Sequence, residues 1–330
     1  MARHIRPSLA ALALAGTILF GTVLAGALLA ADAPPAGLAK PRPIPLPLGL
    51  DLYMPVPEDN PVTTAKIELG RKLFHDKRLS RDQSLACASC HNPDDAFSGD
   101  LPKSVGAFGR VGPRNVPAIL NRGYGEAFFW DGHIPTLEQQ VLQPILNPVE
   151  MDLTLEAAEQ RTGLSTTEIS KVLATYVRSI VSGNSPYDRY LFGDRTALTP
   201  QQRRGLEIFR GKGNCINCHV GPRLSDEDLH NTGVAYLNDA DPTDLGAGAG
   251  NFKTPTLREV ARTAPYMHNG SLATLEDVVA FYSGGGEPNP NLDPDIRRLD
   301  LADDEQRDLV AFLRSFSGTV LEGGAPVRRR

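Results

Sequence analysis

Two short stretches, Cys87-Ala88-Ser89-Cys90-His91 and Cys215-Ile216-Asn217-Cys218-His219, contain all four cysteines of the chain. Both follow the pattern Cys-x-x-Cys-His, which is the attachment sequence of c-type haem. In that chemistry the two thiols bind the haem vinyl groups covalently, and the adjacent histidine becomes the proximal ligand of the iron. The sequence therefore predicts two covalently bound c-type haems, one on Cys87 and Cys90 with His91 below, the other on Cys215 and Cys218 with His219 below.

Three other interpretations of the cysteines are a disulfide framework, a zinc site and a redox dithiol. Disulfides are compatible with an exported chain. However, no cysteine lies outside the two motifs, and a histidine follows each motif directly. A zinc ribbon requires neither feature, and the interval from His91 to His219 is far too long for one. Haem attachment is the interpretation that accounts for both histidines.

The two motifs sit in a weak internal repeat. Leu69–Phe74 precedes the first motif and Arg204–Phe209 precedes the second, with glycine as the second residue of each segment. Each segment is typical of a short helix that leads into an attachment loop. We therefore predict an all-α fold of two tandem cytochrome-c-like domains, each with one covalent c-type haem.

Helix signals dominate the rest of the chain. Ser165 and Glu168 form a capping box, followed by apolar residues at helical spacing up to Val181, so a helix is expected to end at Gly183. Thr199 begins a second capping box, with proline at the first helical position. The last apolar stripe predicts a C-terminal helix that stops at Gly318. No convincing alternation of apolar and polar residues indicates a strand.

Composition and patterning set the domain limits. The 330 residues are 41% apolar and carry a net charge of −5, which allows two folded domains and argues against nucleic acid as a partner. A basic start followed by a long apolar run is typical of a secretory signal, with an uncleaved membrane anchor as the alternative. The expected segments are a signal peptide or anchor at 1–33, a Pro-rich linker at 34–61, haem domains at 62–195 and 196–322, and a tail at 323–330, of which Arg328–Arg330 is expected to be solvated.

The Pro-rich segment cannot be helical and is expected to be extended. It is either a tether or an arm packed on the body of the protein, and the sequence leaves both open.

Several longer motifs resemble the bacterial di-haem cytochrome c peroxidase and MauG family. They run in order from about Leu69 to about Phe316 and comprise Gly112-Pro113-Arg114-Asn115, Phe129-Trp130-Asp131-Gly132, Leu137-Glu138-Gln139-Gln140, Asn147-Pro148-Val149-Glu150-Met151, Phe252-Lys253-Thr254-Pro255-Thr256-Leu257-Arg258 and Ala264-Pro265-Tyr266-Met267-His268-Asn269-Gly270.

The resemblance implies roles for particular residues. The N-terminal haem would react with hydrogen peroxide, and the C-terminal haem would transfer electrons or share charge. Trp130 would lie between the haems as a relay. Other implied roles are the distal face of the first haem, formed by Gln140, Pro144 and Glu150, and a calcium site, formed by Asn115 and the carbonyls of Thr263 and Pro265.

The chain departs from the ordinary peroxidases in the loop 106–111. In those enzymes a histidine before the Gly-Pro-x-Asn segment closes the first haem until the enzyme is reduced. Here the loop is Gly106-Ala107-Phe108-Gly109-Arg110-Val111, without a histidine. None of these side chains ligates iron, so the first haem is expected to be five-coordinate and open at rest.

A second departure concerns the distal ligand of the other haem, which is a methionine in the peroxidases. The equivalent position, fourteen residues after His268, is Tyr282. Tyr282 ends the apolar face of a predicted helix, so a plain core tyrosine is the alternative. A phenolate favours oxidised iron, whereas methionine raises the potential. A His/Tyr haem beside an open haem is similar to the compact, MbnH-like members of the MauG branch.

The resemblance therefore implies an exported, periplasmic oxidoreductase. It would use peroxide to form a high-valent di-haem state and oxidise residues, in particular tryptophan, on a partner protein, with Glu150 as general acid–base. One alternative is a cytochrome c peroxidase that draws electrons from a small cytochrome. A further alternative is a di-haem electron carrier, against which the missing loop histidine argues.

Overall fold

Helices dominate the computed structural model, which describes residues 40–239 and 242–327. The described residues contain ten α-helices: α1 (Thr64–Phe74), α2 (Cys87–Cys90), α3 (Leu137–Gln140), α4 (Gln143–Leu146), α5 (Leu155–Thr162), α6 (Thr166–Arg178), α7 (Pro186–Leu191), α8 (Pro200–Arg210), α9 (Leu275–Gly284) and α10 (Asp303–Leu313). The predicted signal peptide at 1–33 and the last residues, 328–330, lie outside the described residues.

Short strands form a minor part of the fold. They are β1 (Ile180–Gly183), β2 (Leu229–His230), β3 (Phe252–Lys253), β4 (Thr319–Glu322) and β5 (Ala325–Pro326). A three-stranded antiparallel sheet has the order β1-β4-β5, and β2 pairs with β3 in a two-stranded ribbon. The described protein is therefore helix-rich, in line with the all-α prediction, with two small sheets that the sequence did not predict.

The end of α6 shows why β1 was missed. The helix begins at its predicted capping box, where Ser165 Oγ accepts from Glu168 N at 3.3 Å, but it ends at Arg178 and not at Gly183. Ile180 and Val181 continue the apolar pattern as strand residues, and Ile180 pairs with Glu322. A short apolar run has no periodicity of its own, and its pairing partner lies far along the chain.

The predicted tail at 323–330 begins with regular structure over its described part. Residues 323–324 form the turn between β4 and β5, and Leu321 pairs with Pro326. The residues predicted to be solvated, 328–330, lie outside the described residues.

The internal repeat corresponds to two helix crossings, each with a glycine at the contact. Helix α1 packs against α6, and α8 packs against α10. A Cβ atom at Gly70 would overlap the carbonyl oxygen of Val172, and one at Gly205 would overlap the carbonyl oxygen of Asp308. Only glycine allows such a close approach of two helix backbones. The matching glycines of Leu69–Phe74 and Arg204–Phe209 are therefore packing residues.

Two large apolar clusters form the core. One extends from Val62 to Ile180 and includes Val320, and the other extends from Tyr187 to Phe316. The described residues nevertheless form a single compact unit. The division into domains at 62–195 and 196–322 stays a prediction.

The Pro-rich segment is a packed arm, and not a free linker, over residues 40–61. Leu50 and Met54 are buried in a small cluster with Tyr124 and Val181. The carbonyl of Leu48 accepts from Asn184 N at 2.6 Å. The sequence left open a tether or a packed arm, and the structure shows the packed arm.

A buried ion pair fastens this arm to the rest of the protein. Arg258, which is 2% exposed, donates to Asp188 at 2.9 and 3.1 Å. It also donates to the carbonyls of Gly49 at 2.7 Å and Pro222 at 2.6 Å. One guanidinium thus joins the arm, α7 and the loop after the second Cys-x-x-Cys-His motif.

Within the described ranges, no helix is both long and apolar enough to cross a membrane.

Candidate functional site

One large cavity of about 1000 Å³ lies between the two Cys-x-x-Cys-His motifs. Its wall includes residues of both motifs, namely Cys87, Cys90, His91, Cys215, Cys218 and His219. Most of the other lining side chains are apolar. The fold therefore brings together the two stretches that the sequence singled out, although they are far apart along the chain.

Both motif histidines are held through the same ring nitrogen. His91 Nδ1 donates to the carbonyl of Phe97 at 3.1 Å, and His219 Nδ1 donates to the carbonyl of Leu224 at 2.9 Å. Nε2 is then the other ring nitrogen that each histidine can offer to a metal, and the His91 ring also has a backbone hydrogen bond with Pro117. Burial lowers the pKa of His91 to about 4 and also lowers the pKa of His219, despite these hydrogen bonds. Neutral, oriented imidazoles of this kind are suited to ligating a metal.

The cysteines do not fit the alternative interpretations. All four lie in the described residues and none is in a disulfide. Burial raises the pKa of the Cys87 and Cys215 thiols to about 12. A redox dithiol instead requires an attacking thiol of lowered pKa. A broad apolar cavity with two such thiol pairs and two neutral imidazoles fits haem better than it fits a compact metal site.

Glu150 lines the cavity, as do Gln140 and Pro144. The charge of Glu150 acts on Cys87 and Cys90, so this carboxyl lies near the first motif. Asn147 Nδ2 donates to Glu150 Oε1 at 2.8 Å. The cavity wall removes the carboxyl from bulk water, and this burial raises the pKa of Glu150 in spite of the hydrogen bond from Asn147. A carboxyl with a raised pKa keeps its proton to a higher pH than an ordinary carboxyl, which suits it to general acid–base chemistry.

The loop 106–111 packs directly on this segment. Ala107 N donates to the carbonyl of Glu150 at 2.6 Å, and a Cβ atom at Gly106 would overlap the Glu150 backbone. Phe108, at the tip, is 57% exposed. The loop therefore positions Glu150 while its own tip side chain points toward solvent.

Trp130 is held by backbone groups from both parts of the sequence. Its Nε1 donates to the carbonyl of Asn115 at 2.9 Å, and its own carbonyl accepts from Lys253 N at 2.7 Å. The ring of His268 contacts Trp130 edge-on at 6.5 Å between centroids. Trp130 also lines the cavity shared by the motifs.

Tyr282 lines the same cavity near the second motif. It lies on the last turns of α9, as its spacing predicts. Burial raises the pKa of Tyr282 to about 12, and a hydrogen bond with Thr232 opposes this shift. Its phenol is therefore neutral without a bound cation. The assignment of Tyr282 as a ligand stays a prediction.

The residues of the implied calcium site also line the cavity, namely Asn115, Thr263 and Pro265. Asn115 is 5% exposed. Its Nδ2 donates to the carbonyl of Leu101 at 2.9 Å, so Oδ1 is the atom left for a cation. The calcium ion itself stays a prediction.

Sequence reasoning did not identify several ion pairs of the site. Arg114 bridges Asp131 at 2.8 Å and Asp244 at 2.7 Å. His230 contacts Asp293 at 2.6 Å and Asp226 at 3.1 Å, beside Cys218. Lys253 is buried at the cavity wall. Most of these contacts join residues that are distant in the sequence, so no local motif predicts them.

His133 also lines the cavity. Its Nδ1 contacts Asp131, and its ring stacks on Phe129 at 4.9 Å between centroids.

The helical fold, with both motifs on one apolar cavity, is typical of a c-type haem protein. The family profile of the di-haem cytochrome c peroxidases matches residues 64–165. The chain is 37% identical over 286 residues to the methylamine utilization protein MauG of Methylorubrum extorquens, covering 79% of this chain and 81% of that protein. It is 35% identical over 303 residues to the cytochrome c551 peroxidase of Pseudomonas aeruginosa, covering 81% and 84%.

A solved structure supports the same relationship. The crystal structure of a MauG-like protein associated with microbial copper homeostasis has a TM-score of 0.73 and 34% identity, and covers 82% of this chain and 94% of that one. The chain therefore belongs to the di-haem cytochrome c peroxidase and MauG family. The members are peroxide-dependent oxidoreductases, and the family implies two haems.

Proposed function

We propose that this chain binds one c-type haem covalently at each motif and reacts with hydrogen peroxide at the first. The observation that carries the proposal is the shared cavity, in which both motifs, Trp130 and Glu150 lie together. His91 and His219 would hold the irons through Nε2, since Nδ1 of each ring is engaged by a backbone carbonyl. When bound, haem supplies the cleavage of the peroxide bond and stores the oxidising equivalents.

The protein's own part in the reaction is carried by the segment around Glu150. Its carboxylate takes the proton from one peroxide oxygen and returns it to the other. Asn147 fixes the carboxylate through Oε1, so the second oxygen is free for the proton. Gln140 and Pro144 shape the space beside it. Without a loop histidine to close this face, peroxide enters the resting protein.

Tyr282 would hold the iron of the second haem through its phenol oxygen. Iron binding would remove the phenolic proton, which burial otherwise retains. A phenolate ligand keeps this haem oxidised and suits it to sharing charge. Trp130, held between the two parts of the sequence, relays that charge.

The proposed substrate is a residue, in particular a tryptophan, on a partner protein. Homologues named MauG and homologues named cytochrome c peroxidase match the chain comparably well, so electron donation by a small cytochrome is the second candidate. Steady-state peroxide turnover with reduced cytochrome c separates the two. The first proposal expects slow turnover with the cytochrome, and rapid turnover would contradict it. We also propose that the signal-like start directs export to the periplasm.

A calcium ion is proposed at Asn115 with the carbonyls of Thr263 and Pro265, because calcium prefers oxygen ligands of this kind. Exhaustive chelation should change the haem absorbance and slow the reaction with peroxide, and added calcium should restore both. Magnesium should not restore them, since it demands a smaller, more regular site. Spectra and rates that are the same after chelation would exclude a functional ion.

Trp130→Phe should separate peroxide chemistry from charge transfer. The variant keeps an aromatic ring but loses the hydrogen bond to Asn115 O, which costs about 1 kcal/mol. Both haems should remain attached and peroxide should still react, while oxidation of a protein partner slows. Tyr53→Phe is the control, because Tyr53 is 78% exposed on the arm. Partner oxidation at the native rate in Trp130→Phe would rule out the relay.

A further inference from the structure

Lys253 is a buried cation at the wall of the cavity. It is 9% exposed and lies on β3, where its backbone N–H donates to the carbonyl of Trp130 at 2.7 Å. Its side chain lines the space between the two motifs. Lysine is seldom buried without a charged partner, so an anion is expected close to this ammonium group.

The described residues supply no carboxylate partner for Lys253. Its Nζ makes one long contact, at 3.4 Å, with the carbonyl of the adjacent Thr254. Two carboxylates act on the charge of Lys253, namely Glu227 and Asp226. Glu227 is already paired with Arg122 and Arg223, and Asp226 is already in contact with His230. The neighbourhood of Lys253 therefore has more cations than anions.

An excess of buried positive charge is costly unless an anion offsets it. The haem-free protein responds at the ammonium itself, since burial, aided by Arg122, lowers the pKa of Lys253 to about 7. The cavity beside Lys253 therefore has room for a carboxylate, and the ammonium group supplies the positive charge that would bind it.

The other cations that face the cavity do not need an additional carboxylate partner. Arg114 is paired with Asp131 and Asp244, and Arg122 is paired with Glu227. Arg297 is exposed to water. Lys253 is the one that is both buried and unpaired among these four.

We propose that Lys253 binds a propionate carboxylate of a haem in this cavity and thereby raises the reduction potential of that haem. This inference rests on the proposed haem attachment. Porphyrin is apolar over most of its surface and carries two propionates, which matches an apolar cavity with an unpaired cation. The ammonium stabilises the ferrous state, because that state carries one more electron than the ferric state.

The test compares Lys253→Met with Lys253→Arg in the protein carrying both haems. Lys72→Met is the control, because Lys72 is exposed on α1. Redox titration followed by absorbance should show that Lys253→Met lowers one of the two potentials, shifting the ferrous-to-ferric ratio about tenfold, or about 59 mV for one electron. Lys253→Arg and Lys72→Met should stay near the wild-type value.

Unchanged potentials in Lys253→Met would overturn the proposal. If Lys253→Met instead loses haem, Lys253→Arg must retain it, and loss from both variants would contradict a role that rests on charge. Mass analysis of the wild-type protein distinguishes a failure of the proposed function from a failure of the proposed role of Lys253. Absence of covalent haem there would refute the proposed function, whereas haem present with unmoved potentials would refute only the role of Lys253.

Discussion

Replacing Glu150 by Gln should slow the reaction of the protein with peroxide by about 100- to 10,000-fold, the usual contribution of a general acid–base. Gln keeps the shape of the side chain and can still accept from Asn147 Nδ2. It cannot take up a proton at the pH of the reaction. Both haems should remain attached, so the loss should appear in the rate constant with peroxide, measured by stopped-flow absorbance.

The pH profile provides a second readout of Glu150. Burial raises its pKa, so the basic form needed to accept the peroxide proton is lost as pH falls, starting above the ordinary carboxyl range. The Glu150→Gln variant should lose this limb of the profile. Glu156→Gln is the matched control, since Glu156 lies at the start of α5, away from the cavity wall. A peroxide rate constant for Glu150→Gln within a few-fold of the wild-type value would remove Glu150 from the chemistry.

Replacing Arg258 by Met should lower the free energy of unfolding by about 3–5 kcal/mol, the usual cost of breaking a buried ion pair. The change leaves the Asp188 carboxylate charged and buried, with only Ser185 and its backbone as remaining partners. It also removes the donors to the Gly49 and Pro222 carbonyls. The arm should detach first, which limited proteolysis near Gly49 would detect.

An exposed pair provides the comparison for Arg258. Arg298 contacts Asp300 at 2.5 Å, and both side chains are at least 70% exposed. Arg298→Met should change stability by at most about 1 kcal/mol, as expected of surface ion pairs. Equal denaturation midpoints for the two variants would show that the buried pair does not fasten the arm.

The local features of the fold could be predicted well. The capping boxes at Ser165 and Thr199 begin α6 and α8, and the apolar face that ends at Tyr282 forms α9. Cys-x-x-Cys-His is also a local signal, so both motifs were found directly. What these signals share is that neighbouring residues are enough to produce them.

The features that were missed depend on distant partners. β1 forms because β4 returns to it from the far end of the chain. The arm packs because Arg258 reaches Gly49. The sequence does not show that Lys253 lacks a carboxylate partner, because this depends on the pairing of Glu227 with two arginines in the folded protein. Composition and residue spacing do not indicate which distant residues come into contact in the folded protein.

The central claim is that peroxide reacts at one haem and that the resulting charge is shared with a second, tyrosine-ligated haem through Trp130. The near-infrared spectrum of the ferric protein, recorded after hydrogen peroxide is added without any electron donor, tests it most directly. We expect a new near-infrared band from charge shared between the haems in the wild type, and its loss in Tyr282→Met. A wild-type protein without this band, but with the red-edge band of a methionine–iron bond, would contradict the account and indicate an ordinary peroxidase.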